Sequence, residues 1–290
     1  MGVTVITMRV TLLAFMFVGS GAAIVTCRRW SKRVRMMMMQ PKLTASSVLL
    51  PDGCTLPHEL VGEADAPLRV VYGHGIGAKS HQDDTLFEVI RASVAGAAVR
   101  AVAYTARGHG ASTGCQESPP DAFLWSALAG DMRAVAEAHD MRRFVAAGSS
   151  MGAATALYAA LQAPERVEAL VLARLPTAWS ARVARRTELR KKAEGLRATG
   201  EGVLARFYEG NAPSDLPAQE KASYAPLAGI PVLILCHGED DVHPVETGLA
   251  LSRLLPSHAS SRIVIVRDLA DAKAKWPSII ADWLRSLPTS

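Results

Sequence analysis

The chain has 290 residues, 49% hydrophobic and 20% charged, with four cysteines. This composition excludes intrinsic disorder, which needs low hydrophobicity, and a disulfide-dense scaffold, which needs many more cysteines. The formal charge of +5 is unevenly placed: residues 1–51 hold seven basic side chains and no Asp or Glu, leaving 25 Lys and Arg against 27 Asp and Glu in the remainder. The body is therefore nearly neutral, which argues against a nucleic-acid partner.

Residues 10–27 read VTLLAFMFVGSGAAIVTC, eighteen positions without a charge. That run falls within the ~17–25 residues that cross a bilayer core, and no other run does, which excludes a multi-span protein. The basic cluster RRWSKRVR follows it directly. By the positive-inside tendency this flank stays cytoplasmic and the N-terminus crosses. Residues 1–42 are thus expected to be a leader, with membrane association through residues 10–27. A cleaved signal peptide, a mitochondrial or other organelle transit peptide, or an extended start are the competing readings. Cys54, Cys115 and Cys236 show no CxxC and no ligand spacing. They are expected to be ordinary thiols, and no metal site is expected.

The body, residues 43–290, opens with SSVLLPDGCTLPHELVG, whose Asp52-Gly53 pair marks the turn of a β-hairpin. Continuous apolar runs follow at 68–72, 99–104, 143–148, 167–173, 231–236 and 262–266. Runs of this kind suit strands buried on both faces of a parallel sheet. Between them lie helical stretches; from Pro120 to His139, Leu124, Leu128, Met132 and Val135 recur on one face. Alternating strands and helices imply an α/β fold with a mostly parallel, doubly wound sheet. Residues 176–228 exceed an ordinary crossover and are expected to form a helical lid over the strand ends. Eight basic residues between Arg182 and Arg206, against three Glu, suit a solvated helix face or attraction of an anionic substrate.

Three motifs sit at strand ends. Gly148-Ser149-Ser150-Met151-Gly152 separates a strand from the helix-forming AATALYAAL. Its glycines, Gly148 and Gly152, permit a sharp strand-to-helix turn that projects the Ser150 hydroxyl, with unpaired N–H groups at the helix start. His74-Gly75-Ile76-Gly77 ends an earlier strand; its small residues let the Ile76 N–H join that of Met151 as an oxyanion hole, with His74 and Gly75 in support. Arg107-Gly108-His109-Gly110-Ala111-Ser112 ends the strand after that.

With HG-x-G, RGHG-x-S and G-x-S-x-G in this order, residues 43–288 resemble the α/β-hydrolase superfamily. PTAWSAR at 176–182, followed by a DxxHP segment, is similar to a group of bacterial-type hydrolases of unassigned substrate. The resemblance implies a Ser-acid-His triad in that chain order, with Ser150 as the nucleophile. It places the acid after the strand PVLILC, where the chain reads His237-Gly238-Glu239-Asp240-Asp241-Val242-His243-Pro244. Counting from the glycine favours Asp241; counting from Pro231 or back from Pro244 favours Asp240. Strand phase constrains geometry more than a loop glycine does, so Asp240 is preferred and Asp241 is second.

The resemblance places the histidine after the last strand, yet Arg267 to Trp276 contains none. Without an imidazole a serine hydroxyl at its ordinary pKa is a poor nucleophile. His243 is the internal substitute, expected to reach Ser150 with a different acid orienting it. The competing reading makes His243 a structural tie for its loop. The favoured function is a serine hydrolase acting on a small-molecule acyl substrate (an ester, thioester or lactone) through an acyl-Ser150 intermediate, without cofactor. The alternative is a catalytically impaired relative that keeps the pocket for a ligand or partner.

Overall fold

A computed structural model describes residues 46–78, 99–209 and 214–287. Eight strands form one sheet: β1 (Ser46–Leu49), β2 (Thr55–Val61), β3 (Leu68–Gly73), β4 (Val99–Tyr104), β5 (Phe144–Ser149), β6 (Val167–Ala173), β7 (Val232–His237) and β8 (Arg262–Val266). Their order is β1-β2-β4-β3-β5-β6-β7-β8. The opening hairpin β1–β2 joins β4 antiparallel, and every pairing from β4 to β8 is parallel. The order reverses between β4-β3 and β3-β5, so the ends of β3 and β5 meet at a switch point where ligands bind in open α/β sheets.

Burial explains the continuous apolar runs. Val71, Ala146, Leu170, Leu172 and Ile234 pack on one face beneath helices α1 (Trp125–Ala138) and α2 (Met151–Gln162). Their neighbours Val70, Tyr72, Val145, Ala147, Val171 and Leu233 point the other way, with Trp276, Ile280 and Trp283 of the C-terminal helix Leu269–Arg285 in the same cluster. Period-two alternation thus feeds two cores rather than one core and solvent.

The stripe on α1 differs from expectation at its first member. Leu128, Met132 and Val135 are buried, but Leu124 is 38% exposed. Leu124 is extended (φ −70°, ψ 143°) between a 3-10 turn at Pro120–Phe123 and α1, so its side chain leaves the helical face. Phe123 and Trp125 are buried on either side of it.

The expected lid segment contains α3 (Trp179–Ala184), α4 (Arg186–Ala198), a helical turn at Gly202–Ala205 and 3-10 turns at Arg206–Tyr208 and Lys221–Leu227. Several of its cations are engaged within it: Arg185 pairs with Glu188, Arg197 with Glu209, and Lys192 lies over the Tyr208 ring. Arg182 is buried over Trp125. The basic run therefore includes internal contacts that a purely solvated face lacks. Two further helices complete the described set, α5 (Val245–Leu254) and α6 (Leu269–Arg285).

The expectation of ordinary thiols fails for two cysteines. Cys54 and Cys115 form a disulfide, while Cys236 is free and buried. The hairpin turn brings them together: Thr55 pairs with Thr113 in an isolated bridge, setting Cys54 beside the loop that follows β4. Sixty-one positions separate the two, so no local spacing announces the pair.

Among the described residues no helix is long and apolar enough to cross a membrane. Residues 10–27 lie outside the described residues.

Candidate active site

Ser150 occupies a turn that few residues tolerate. Its backbone has φ 54° and ψ −114°, a sparsely populated combination for a residue with a side chain. Ser149 ends β5 and Met151 opens α2, so the chain reverses direction at Ser150. The turn closes only because its neighbours lack side chains. A Cβ on Gly152 would stand 1.9 Å from the Gly73 carbonyl oxygen, and one on Gly148 2.3 Å from the Gly152 carbonyl carbon. The Ser150 N–H is held by the Ala173 carbonyl at 3.0 Å. The Met151 N–H belongs to the first turn of α2, where intrahelical acceptors are missing.

The loop after β3 is tied down by two histidines. The His74 ring accepts the Ala106 N–H through Nε2 at 2.9 Å and donates from Nδ1 to the Gly75 carbonyl at 2.8 Å. His109 accepts the Gly77 N–H through Nε2 at 3.2 Å and donates from Nδ1 to the Arg107 carbonyl. Both rings are thus used as neutral donor–acceptor bridges, and burial lowers the His109 pKa to about 3. Together they fasten the loop carrying Ile76 to the loop after β4. That second loop is anchored in turn by Arg107, which forks onto both Asp131 oxygens at 2.7 Å and reaches Asp52 at 2.7 Å. Gly108, at φ 71°, leaves room for Val203 and Phe207 of the lid segment to pack on it.

The loop after β7 carries both remaining polar partners. The Ser150 hydroxyl donates to His243 Nε2 at 2.8 Å. On its far side His243 donates from Nδ1 to Asp240, 2.8 Å from Oδ2 and 2.9 Å from Oδ1. The carboxylate also accepts the backbone N–H of Val242 and of His243, so one side chain shapes the turn and orients the ring. The expectation of a different acid for His243 is corrected here, because the turn folds Asp240 back onto the imidazole three positions later. Asp241 is exposed, and its charge acts on Arg185 of the lid segment. The structure does not bring it to the His243 ring.

Two residues beside Asp240 had no place in the sequence reading. Arg174, the first residue after β6, donates to Asp240 Oδ2 from Nε at 3.2 Å and from Nη2 at 3.0 Å. His237 ends β7 with Nε2 3.4 Å from the same oxygen. A cation directly after the apolar run VEALVLA was the available signal for Arg174.

Electrostatics follow from these contacts. Burial alone would raise the Asp240 pKa, but the His243 contacts and the Arg174 hydrogen bonds outweigh it and lower the value to about 2. For His243, burial penalises the imidazolium most; the nearby Arg174 charge and His237 add to it. These exceed the pull of Asp240, so the ring ionises below its ordinary value. The result is a neutral imidazole facing a hydroxyl, with an ionised carboxylate behind it. Such a chain can move a proton off the serine and place a compensating charge behind the imidazolium that forms.

No curated protein matches the chain by sequence. Solved structures do. An esterase from Thermogutta terrifontis superposes with a TM-score of 0.66 at 19% identity, covering 84% of this chain and 99% of that one. The enol-lactonase from Burkholderia xenovorans LB400 gives 0.62 at 18% identity, covering 83% and 100%. An epoxide hydrolase from hot-environment metagenomes gives 0.61 at 20% identity, covering 86% and 99%. At these identities the likeness is one of fold. The family described as "Alpha/beta hydrolase family" matches residues 70–277. With that match over most of its length, and a sharp strand-to-helix turn at the switch point of an eight-stranded sheet, the chain belongs to the α/β hydrolase family.

Proposed function

We propose that the protein is a serine hydrolase acting on an ester, thioester or lactone through an acyl-Ser150 intermediate. The supporting observation is the unbroken hydrogen-bond chain from Ser150 through His243 to Asp240. In the proposed reaction Ser150 Oγ attacks the acyl carbon as His243 Nε2 takes the hydroxyl proton. The carbonyl oxygen becomes an oxyanion received by the N–H groups of Ile76 and Met151. Collapse of the tetrahedral species breaks the bond to the alkoxide or thiolate, which leaves with the proton from His243. A water then repeats the sequence on the acyl-enzyme, losing its proton to His243 and releasing the acid. Asp240 keeps the Nδ1 proton in place throughout and offsets the imidazolium charge.

A fluorophosphonate probe tests this reading. It should form a covalent adduct on Ser150, lost in Ser150→Ala. An unlabelled folded wild type, or labelling that survives in Ser150→Ala, overturns it.

We infer further, from the Cys54–Cys115 bond, that the body works in an oxidising compartment, where such bonds persist. A leader that delivers residues 43–290 across a membrane agrees with this better than an anchor that keeps them cytoplasmic. Thiol trapping in intact cells tests it: Cys54 and Cys115 should both be blocked, and a reactive thiol at either position overturns it.

A further inference from the structure

The acid and base proposed above lie three positions apart in one exposed loop, with Asp241 and Val242 between them open to solvent. Within the loop the carboxylate is fixed by the Val242 and His243 N–H groups, and a second hold acts on it from outside. The hold comes from the neighbouring strand. Arg174 stands at the end of β6 with φ 50°, and its N–H is fixed by the Leu235 carbonyl of β7 at 2.9 Å. A positive φ on an arginine is uncommon, and here it sets the start of the side chain beside the loop after β7.

From there the guanidinium makes two contacts of different kinds. It donates twice to Asp240 Oδ2, as described. Its Nη2 also lies 3.2 Å from His243 Nδ1. That nitrogen already donates its proton to Asp240, so this second approach sets a cation against an N–H rather than forming a hydrogen bond. Arg174 thus attracts the carboxylate and opposes the charged form of the ring.

We propose that Arg174 is a positioning residue for this pair: it clamps Asp240 against His243 and sets a positive charge against the Nδ1 side of the imidazole. The proposal rests on the serine hydrolase reading for its catalytic meaning, but the electrostatic relationship exists without it. Asp240 alone would favour the imidazolium, as a carboxylate beside a histidine ordinarily does. Among the described residues, the groups facing the ring are Asp240 on its own loop, Ser150 after β5, Arg174 after β6 and His237 at the end of β7. Of these, Arg174 is the one that carries a fixed positive charge at neutral pH. Its side chain is one-third exposed, so solvent screens part of its effect.

The experiment is an NMR titration of the His243 ring in the full chain, wild type and variants, with Ser150 labelling rates by fluorophosphonate followed over the same pH range. Wild-type His243 should titrate below the ordinary imidazole value of about 6.5. In Arg174→Gln the midpoint should rise by on the order of one pH unit, and the labelling profile should move with it. Arg174→Lys, which keeps a charge without the fork, should return the midpoint toward wild type while labelling at neutral pH stays below wild type. An Arg174→Gln midpoint equal to wild type overturns the proposal. Should that variant not fold, Arg174→Met, which keeps the apolar stem and removes the charge, is titrated in its place, and a midpoint equal to wild type overturns the proposal in the same way. A shifted titration in a protein that the probe never labels overturns the hydrolase reading and leaves the role of Arg174 in place.

Discussion

The Ser150 hydroxyl and the His243 imidazole meet at 2.8 Å although 93 positions separate them in the chain. The meeting depends on adjacency in the sheet: β5, β6 and β7 are neighbours, so the loops after them open onto the same crevice. Ser150 comes from the first of these, Arg174 from the second, and Asp240 with His243 from the third. The chemistry proposed here follows from that placement and is testable residue by residue.

Asp240→Asn should lower esterase turnover by about 10³–10⁴-fold, because an amide cannot hold the Nδ1 proton in the same tautomer. Asp241→Asn should stay within about twofold of wild type, as expected of an exposed side chain away from the reacting atoms. Turnover of a short p-nitrophenyl ester by both variants checks the assignment. A larger loss at Asp241 than at Asp240 would reverse it.

The rate should rise with pH as His243 loses its proton. Burial and the Arg174 charge depress its ionisation, so the midpoint in kcat/KM should fall below about 6.5. At acid pH the imidazolium cannot accept the serine proton; above the midpoint the profile should be level. His243→Gln should lose the ionisation and drop to the residual rate of Ser150→Ala, since nucleophile and base act as one unit. A full rate in His243→Gln would remove the imidazole from the mechanism.

Gly152→Ala should cost about 3 kcal/mol or more, because the new methyl group would meet the Gly73 oxygen at 1.9 Å and the His74 oxygen at 2.9 Å. Gly195→Ala, inside α4 with nothing within 4 Å of the added Cβ, should instead stabilise by about 0.5–1 kcal/mol. Urea denaturation of the two variants measures the contrast. Equal stabilities would mean that the elbow does not close as described.

Opening the Cys54–Cys115 bond should destabilise the fold by about 4 kcal/mol, the loop-closure value for roughly sixty residues. Denaturation midpoints of wild type with and without reductant, and of a Cys54→Ala, Cys115→Ala variant, give the number. A reductant-insensitive wild type would show that the two thiols are not bonded.

The strands were legible because two buried cores demand unbroken apolar runs, and Ser150 was legible because the glycine contacts leave the elbow few alternatives. His243 and Asp240 were readable as candidates but not as partners. Their pairing depends on how a solvent-facing turn bends back, which no periodicity records. Arg174 and the disulfide lay further out of reach. One is a lone cation whose target sits 66 positions away, the other a pair closed by the hairpin turn. Leu124 shows the opposite failure: it fits the helical stripe by spacing, yet a break in the backbone turns it out to solvent.

Lodging Asp240 and His243 in one loop has a consequence for inheritance. On the proposed roles, acid and base occupy a single four-residue cassette, too short for a recombination crossover to separate with any regularity. The last strand and helix are released from any duty to present a side chain to Ser150. Their sequence answers to the core through Trp276, Ile280 and Trp283, and to the loop after β7 through the Trp276 ring near His237 and the Val266 carbonyl that accepts the Gly238 N–H. Segments from related folds could be exchanged after Val266, or the C-terminal end joined to another protein, while the reacting groups stay on the same three loops.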